Sequence, residues 1–178
     1  MDTALESYQK APTDSTAQAV FSAINKFVEV KGYADSTSAK LLIEAARIAS
    51  AQNQVPQSVD YFKTYIVEYP DRPDVANKLS EVITQVEKLN KPELNKILYK
   101  SFAFRFPMDE RTAAFQGKVE NKDITADSIV RFIGMNMFND STFRLNEERS
   151  LLYIEACEMA VMADPTVRDA PEHLHRAA

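Results

Sequence analysis

The side chains best suited to catalysis or metal binding are few in this chain. Its only histidines are His173 and His175, and its only cysteine is Cys157. Histidines at i and i+2 point to different sides of a helix, whereas a helical metal pair is spaced i, i+4. A catalytic thiol needs a neighbouring base, but Cys157 stands among apolar residues at helical spacing, which predicts a small buried hydrophobe. We therefore expect no enzyme, and no catalytic, cofactor-binding or metal-binding residues.

Acidic and sulfur-containing residues in the last third of the chain allow two interpretations. Glu147 and Glu148 precede a predicted helix, where negative charge stabilises the positive helix end. Acid–base catalysis would instead need a buried pair of carboxylates. The run MNMF at 135–138 is suited to an adaptable apolar groove, but its helical spacing favours core packing. A small-molecule site around Met135 to Phe143 is the alternative that stays open.

The overall charge and hydropathy argue against several partners. The net charge is −5 and the isoelectric point is about 5.1, whereas nucleic-acid-binding domains present a basic face. No run approaches the roughly 20 apolar residues that cross a bilayer, and the first twenty residues lack the features of a signal peptide. We expect no nucleic-acid partner and no membrane association, and these features favour the cytoplasm.

Apolar residues recur at i, i+3, i+4 and i+7 along most of the chain, which is the period of an amphipathic helix. Seven helices follow from this pattern, and no stretch keeps the period of two that a strand requires. The segments that carry them are STAQAVFSAINKFVEVKGYAD, DSTSAKLLIEAARIASAQNQ, VPQSVDYFKTYIVEYP, PDVANKLSEVITQVEKLN, KPELNKILYKSFAFRFP, TADSIVRFIGMNMFND and NEERSLLYIEACEMAVMADP. The predicted fold class is all-α, built from antiparallel helical hairpins.

Residues with strong positional preferences mark several helix ends. Gly32 is a typical helix stop, and the run from Asp35 to Ser38 offers N-caps for the next helix. Pro56 fits a first helical turn, and Pro70 ends the helix before it. The polar stretch 115–127 is expected to hold a loop or a short helix.

Two of the predicted hairpins repeat one pattern. With a shift of 37 residues Pro70 falls on Pro107, and apolar positions of one hairpin fall on apolar positions of the next. The matched pairs are Leu42 with Leu79, Ala45 with Val82, Ala46 with Ile83, Ala49 with Val86, Phe62 with Tyr99, Tyr65 with Phe102, and Tyr69 with Phe106. Because two stripes, the turn and the closing proline all match, we interpret this pattern as one unit written twice.

The first unit resembles the tetratricopeptide repeat, a helix–turn–helix unit with defined large and small positions. The positions that carry the resemblance are Leu42, Ala45, Ala46, Ala49, Ser58, Phe62, Tyr65 and Pro70. The second unit departs from it, since Ile83, Asn95 and Phe102 stand where small residues are expected. Its period also exceeds the usual repeat of about 34 residues. The resemblance implies stacked hairpins that form a short, somewhat irregular TPR-like α-solenoid.

The same comparison divides a single helical domain of residues 1–178 into repeat units. The units cover about 38–73, 75–111 and, more loosely, 125–165, and a further unit begins at 171–178. Because a solenoid usually ends on a polar cap, this unfinished unit predicts that the chain is a piece of a longer protein.

In the resembled family the first helix of each unit lines a concave surface that binds peptides or partner helices. Carried onto this chain, the partner-binding surface consists of Lys40, Ile43, Arg47, Ser50, Asn77, Ser80, Thr84, Glu87 and Lys88. Two cations beside an apolar residue in the first unit suit an acidic or carboxylate-ended segment. An ordinary solvated helix face is the alternative for these positions.

The resemblance therefore implies a non-catalytic protein–protein interaction or scaffold module that binds a protein or peptide partner. A helical regulatory or accessory domain of a larger multidomain protein or enzyme is the alternative function. Assembly into a homo-oligomer is compatible with both.

Overall fold

The computed structural model describes residues 2–121, 123–138 and 144–166, and nine helices form within them. They are α1 (Asp2–Lys10), α2 (Asp14–Lys31), α3 (Ser36–Ala51), α4 (Val55–Glu68), α5 (Val75–Glu87), α6 (Pro92–Arg105), α7 (Thr112–Gly117), α8 (Ala126–Met135) and α9 (Glu147–Ala163). Within these residues the β-type pairing is limited to one isolated antiparallel bridge between Phe138 and Leu145. The predicted all-α fold class is confirmed.

Two of these helices are additional to the seven predicted. The sequence pattern predicts no helix before residue 15, yet α1 forms, and its Tyr8 hydroxyl accepts a 3.1 Å hydrogen bond from Nε2 of Gln52. Helix α7 begins just before the stretch expected to hold a loop or a short helix. Its Phe115 ring stacks on Tyr99 with 5.5 Å between ring centroids. Helices this short are marginal alone, so tertiary contacts hold them.

The helix ends follow the predicted positional preferences. Gly32 caps α2 with a φ of 73°, a left-handed value that favours glycine, and its N–H donates to the Val28 carbonyl. The Asp35 carboxylate accepts the Thr37 N–H at 2.8 Å and starts α3. Pro56 lies in the first turn of α4. Gly32 and Asp35 thus set where α2 ends and α3 begins, and Pro56 marks the start of α4.

The chain divides into two compact units, unit 1 (Met1–Lys78) and unit 2 (Leu79–Ala178), and α5 runs across their boundary. In unit 1 the helices pack in chain order, α1 on α2, α2 on α3 and α3 on α4. The largest fully buried side chains of unit 1 are Phe21, Ile24, Phe62, Tyr65 and Ile66. Helix α3 therefore has neighbours on two sides, which determines the face that it leaves to solvent.

In unit 2 the central element is α6, which contacts α7, α8 and α9, while α8 also contacts α9. The largest fully buried side chains described here are Leu79, Ile83, Leu94, Ile97, Leu98, Phe102 and Met162. Arg105 of α6 donates to the Ala163 carbonyl at 3.2 Å, and Lys91 pairs with Glu155. Apolar burial, this hydrogen bond and this ion pair together hold α6 against α9.

Burial confirms part of the predicted core of unit 2 and corrects part of it. Cys157, Met159 and Met162 are buried, as predicted. The core prediction for the MNMF run is wrong, because Met135 is 77% exposed and Phe138 is also exposed. Phe143, His173 and His175, together with the unit predicted to begin at 171, lie outside the described residues.

The helices that precede Pro70 and Pro107 have the same local structure, at the 37-residue spacing of the sequence pattern. Helix α6 begins and ends 37 residues after α4, at Pro92 and Arg105 against Val55 and Glu68. The turn residues Asn53 and Asn90 share a left-handed backbone, with φ of 57° and 53°. The capping residues Tyr69 and Phe106 also share their geometry, with φ and ψ of −130° and 55° against −124° and 60°. The repeat boundaries and the single domain stay predictions.

Candidate partner-binding surface

The contacts of α3 with α2 and α4 in unit 1 determine which of its side chains are exposed to solvent. Its apolar residues face α2 and α4, and the small Ala46 allows Ser58 of α4 to donate a 2.9 Å hydrogen bond to the Ala46 carbonyl. At its start, Ser38 donates to the Gly32 carbonyl at 2.7 Å. At its end, Asn53 and Gln54 donate to the Ser50 and Ala49 carbonyls, which closes a Schellman motif. Helix α3 is thus fixed at both ends and along two sides.

The remaining side of α3 carries the predicted cations. Lys40 and Arg47 are exposed, and neither forms an ion pair within the described part of the chain. At 1.5 Å per residue, their seven-residue separation places them about 10 Å apart along the helix axis. Ile43 lies half-buried between them, and Ser50 is half-buried one turn further on. The structure therefore brings the four predicted α3 residues onto one side of a well-held helix.

Glu44, which the sequence pattern had not singled out, belongs to the same stripe. It is half-buried and stands four residues after Lys40 and three residues before Arg47. The rule that residues at i, i+3 and i+4 share a helix face would have identified it. We name the set Lys40, Ile43, Glu44, Arg47 and Ser50 the α3 stripe. Its charge is therefore two cations with one carboxylate between them, and not a uniformly basic patch.

Most of the predicted residues on α5 and directly after it make contacts of their own. The Thr84 hydroxyl donates to the Ser80 carbonyl at 3.0 Å, and Lys88 donates to Oε1 of Gln85 at 3.1 Å. Asn77 is exposed and belongs to unit 1, whereas the other predicted α5 residues belong to unit 2. The α5 positions therefore do not form one surface that can be assigned to a single unit.

Glu87 in particular is part of a polar cluster inside unit 2. Its carboxylate accepts a hydrogen bond from the Tyr99 hydroxyl and pairs with Lys118 at 2.6 Å. Those two hydrogen bonds, that from Lys118 first, lower the pKa of Glu87 below its usual range. Burial and the neighbouring carboxylate raise the pKa of the Tyr99 phenol. Through these two contacts the Glu87 carboxylate links α5 to α6 and to the residue that follows α7.

Among the described residues no three histidine, cysteine, aspartate or glutamate side chains are grouped so that they could hold a metal ion. In that same part of the chain, every helix is too short or too polar to cross a bilayer.

No family model, no curated protein and no solved structure matches the chain. The function is therefore inferred from the chain's own contacts.

Proposed function

We propose that this chain is a non-catalytic protein-interaction module, and that the α3 stripe binds an acidic segment of a protein partner. The observation that carries the proposal is the pair of exposed cations, Lys40 and Arg47, on a helix held along two sides and at both ends. A rigid helix presents its charges with little loss of conformational freedom on binding. The half-buried Ile43 between the cations supplies an apolar contact.

The proposed architecture is a TPR-like arrangement of helical hairpins. It is supported by the 37-residue spacing of α4 and α6, and by the matching backbone at Asn53 and Asn90. In such a unit the first helix of a hairpin faces the partner, and α3 occupies that place before α4. The repeat assignment and the binding role are separate proposals, since a helix face can bind a partner in any helical fold.

The distance between the two cations determines how far apart the acidic residues of a test peptide should be. An extended peptide advances about 3.3 Å per residue, so acidic residues three positions apart span about 10 Å. The probe is a fluorescein-labelled peptide with two glutamates at that spacing, a leucine between them and a free carboxylate at its end. A peptide of the same composition with adjacent glutamates is the matched control ligand.

Binding is measured by fluorescence anisotropy with the wild-type chain and two charge-matched variants. Lys40→Glu combined with Arg47→Glu turns two attractive pairs, each worth about 0.2–1 kcal/mol, into repulsive ones, so the Kd should rise about tenfold. Lys10→Glu combined with Lys26→Glu makes the same charge change on exposed residues outside the α3 stripe and should raise the Kd far less. Equal weakening by both pairs would show general charge attraction only, and an unchanged Kd in the first variant would remove the α3 stripe as the site.

A further inference from the structure

A cleft of about 480 Å³ lies within unit 2, beside the C-terminal half of α6 and the start of α8. The Phe104 ring lines it and is 72% exposed. Ile124 adds a second apolar side chain to the lining. The cleft also reaches two buried polar residues, Ser101 and Asp164. An apolar wall beside a few buried polar groups is the usual composition of a ligand-binding cleft.

The Ser101 hydroxyl lacks a hydrogen-bond partner. This side chain is only 2% exposed, yet its Oγ has no hydrogen-bond partner within the described part of the chain. Buried hydroxyls are normally paired, as Ser58 is with the Ala46 carbonyl. A polar ligand atom in the cleft would supply the partner that Ser101 lacks.

The Asp164 carboxylate is the second buried polar group. It caps the end of α9 and is 3% exposed. Its Oδ1 accepts both the N–H and the hydroxyl of Thr166, at 3.0 and 2.6 Å, and its Oδ2 takes part in neither bond. Within the described residues no ion pair joins a cation to this carboxylate. A buried carboxylate is stabilised by a cation that reaches it.

The charge of the described lining selects the sign of the ligand. The described lining contains three carboxylates, those of Asp123, Asp127 and Asp164, and one ammonium group, that of Lys100. Asp127 is paired with Arg131 at 2.7 Å, which leaves two carboxylates against one ammonium. The start of α8 would by itself favour an anion, but the Asp127 carboxylate stands in its first turn and offsets the helix dipole. The cleft therefore favours a cation.

We propose that this cleft binds a primary ammonium group carried on an alkyl chain, with Asp164 and Ser101 as its polar contacts. An ammonium has three N–H donors, and a carboxylate oxygen and a hydroxyl oxygen accept two of them. The alkyl chain covers the exposed ring of Phe104, against which the cation is also attracted. A lysine side chain of a protein and a free alkyl amine carry the same group. The site lies in unit 2 and does not depend on the α3 stripe.

The test is titration of the full 15N-labelled chain, followed by NMR amide shifts, with three probes at millimolar concentration. Butylamine, which is cationic at neutral pH, should shift amides around Ser101, Phe104 and Asp164. Butanol has the same alkyl chain without the charge and should not. The third probe, Nα-acetyl-lysine N-methylamide, distinguishes a lysine side chain of a protein from a free alkyl amine. If it binds more strongly than butylamine, the natural ligand is a protein side chain, and if it binds more weakly, the natural ligand is a free amine. If neither amine shifts these amides, or if butanol shifts them as strongly, the proposal is wrong.

Variants then test the two polar contacts. Asp164→Asn should weaken amine binding about tenfold and Ser101→Ala about threefold, as expected for the loss of an ionic and a neutral hydrogen bond. Asp71→Asn removes the same charge at an exposed position of unit 1 and should leave the affinity unchanged. If Asp164→Asn does not fold, Asp123→Asn removes an exposed carboxylate of the same cleft and should still weaken binding. Unchanged affinity in every cleft variant would overturn the assignment.

Discussion

At the scale of single residues, a few polar side chains decide contacts that apolar patterning leaves open. Tyr65 is an example, because its ring is fully buried among the helices of unit 1 while its hydroxyl donates a 2.6 Å hydrogen bond to Asp74. Burial of the phenol, followed by its bond to the Asp74 carboxylate, raises the pKa of Tyr65 to about 12. The periodic pattern identified the buried ring, but the partner of the hydroxyl lies in the connection after α4.

Replacing Tyr65 by phenylalanine keeps the ring and removes this hydrogen bond. Tyr65→Phe should lower the free energy of unfolding by about 1–3 kcal/mol, because the Asp74 carboxylate loses its donor. Tyr69→Phe is the control, since its hydroxyl bonds to the Tyr33 carbonyl at the surface and should contribute less. Urea denaturation at pH 7 measures both changes, and an equal loss in the two variants would contradict the role given to burial.

The raised pKa of the Tyr65 phenol also implies that the protein loses stability at alkaline pH. A raised phenol pKa means that the folded chain keeps its proton where the unfolded chain, with a pKa of about 10, releases it. The stabilisation is therefore complete below about pH 10 and is lost as the pH rises toward 12. The difference in unfolding free energy between wild type and Tyr65→Phe should shrink across that range. A constant difference would show that Tyr65 titrates normally.

At the scale of helices, close approach depends on residues that have little hydrophobic signal. Gly134 on α8 is such a residue, because a Cβ atom placed there would lie 2.8 Å from Cε2 of Tyr153 on α9. Helices α8 and α9 pack against each other, and the missing side chain lets the Tyr153 ring sit over the backbone. Neither residue's sequence neighbourhood indicates this contact, since both lie in ordinary amphipathic stretches.

Adding one methyl group should therefore separate α8 from α9. Gly134→Ala should lower the unfolding free energy by about 1–3 kcal/mol, the usual cost of overpacking. Gly117→Ala is the matched control, because a Cβ at Gly117 meets no atom within 4 Å, and it should be neutral or stabilising. Thermal or urea denaturation measures the change. In a Tyr153→Leu background the cost of Gly134→Ala should largely disappear, and an unchanged cost there would contradict the contact as its cause.

At the scale of the whole molecule, the charge balance determines how the fold responds to acid. The chain carries 26 acidic and 21 basic residues, so it is anionic at neutral pH. Two of its carboxylates are held ionised by cations of unit 2. Arg111 donates two hydrogen bonds to Asp109, at 2.6 and 2.7 Å, and lowers the pKa of Asp109 to about 2. The pKa of Glu87 is also lowered, by its bonds from Lys118 and Tyr99.

Acid should therefore destabilise the protein through these groups. Between about pH 4 and pH 2 the unfolded chain binds a proton at Asp109 that the folded chain does not, so stability falls as the pH falls. Asp109→Asn should cost less than about 1 kcal/mol at pH 7, because the pair lies near the surface, and only a small part of that near pH 2, where about half of the folded Asp109 is protonated. Urea denaturation across this range measures the difference without adding salt that would screen the pair, with Asp71→Asn as the exposed control. A difference that does not shrink as the pH falls would contradict the ionic origin.

The amino-acid sequence by itself determined most of the helices and several of their ends. Periodic apolar residues identified seven of the helices, and local rules identified Gly32 and Asp35 as boundary residues, because these effects act within one turn of the chain. The same local rules explain why the buried state of Cys157 could be predicted. The cations of the α3 stripe were predicted only through the resemblance to the tetratricopeptide repeat, and Glu44 was overlooked.

Only the tertiary structure decided which helix faces are covered. Phe104 and Met135 have helical spacing like their buried neighbours, yet both are exposed because no described element covers them. Ser101 and Asp164 are brought to one cleft from helices far apart in sequence, and no pattern indicates such a meeting. The physical reason is that periodicity describes the faces of one helix, whereas burial and pairing depend on what the rest of the chain places against each face.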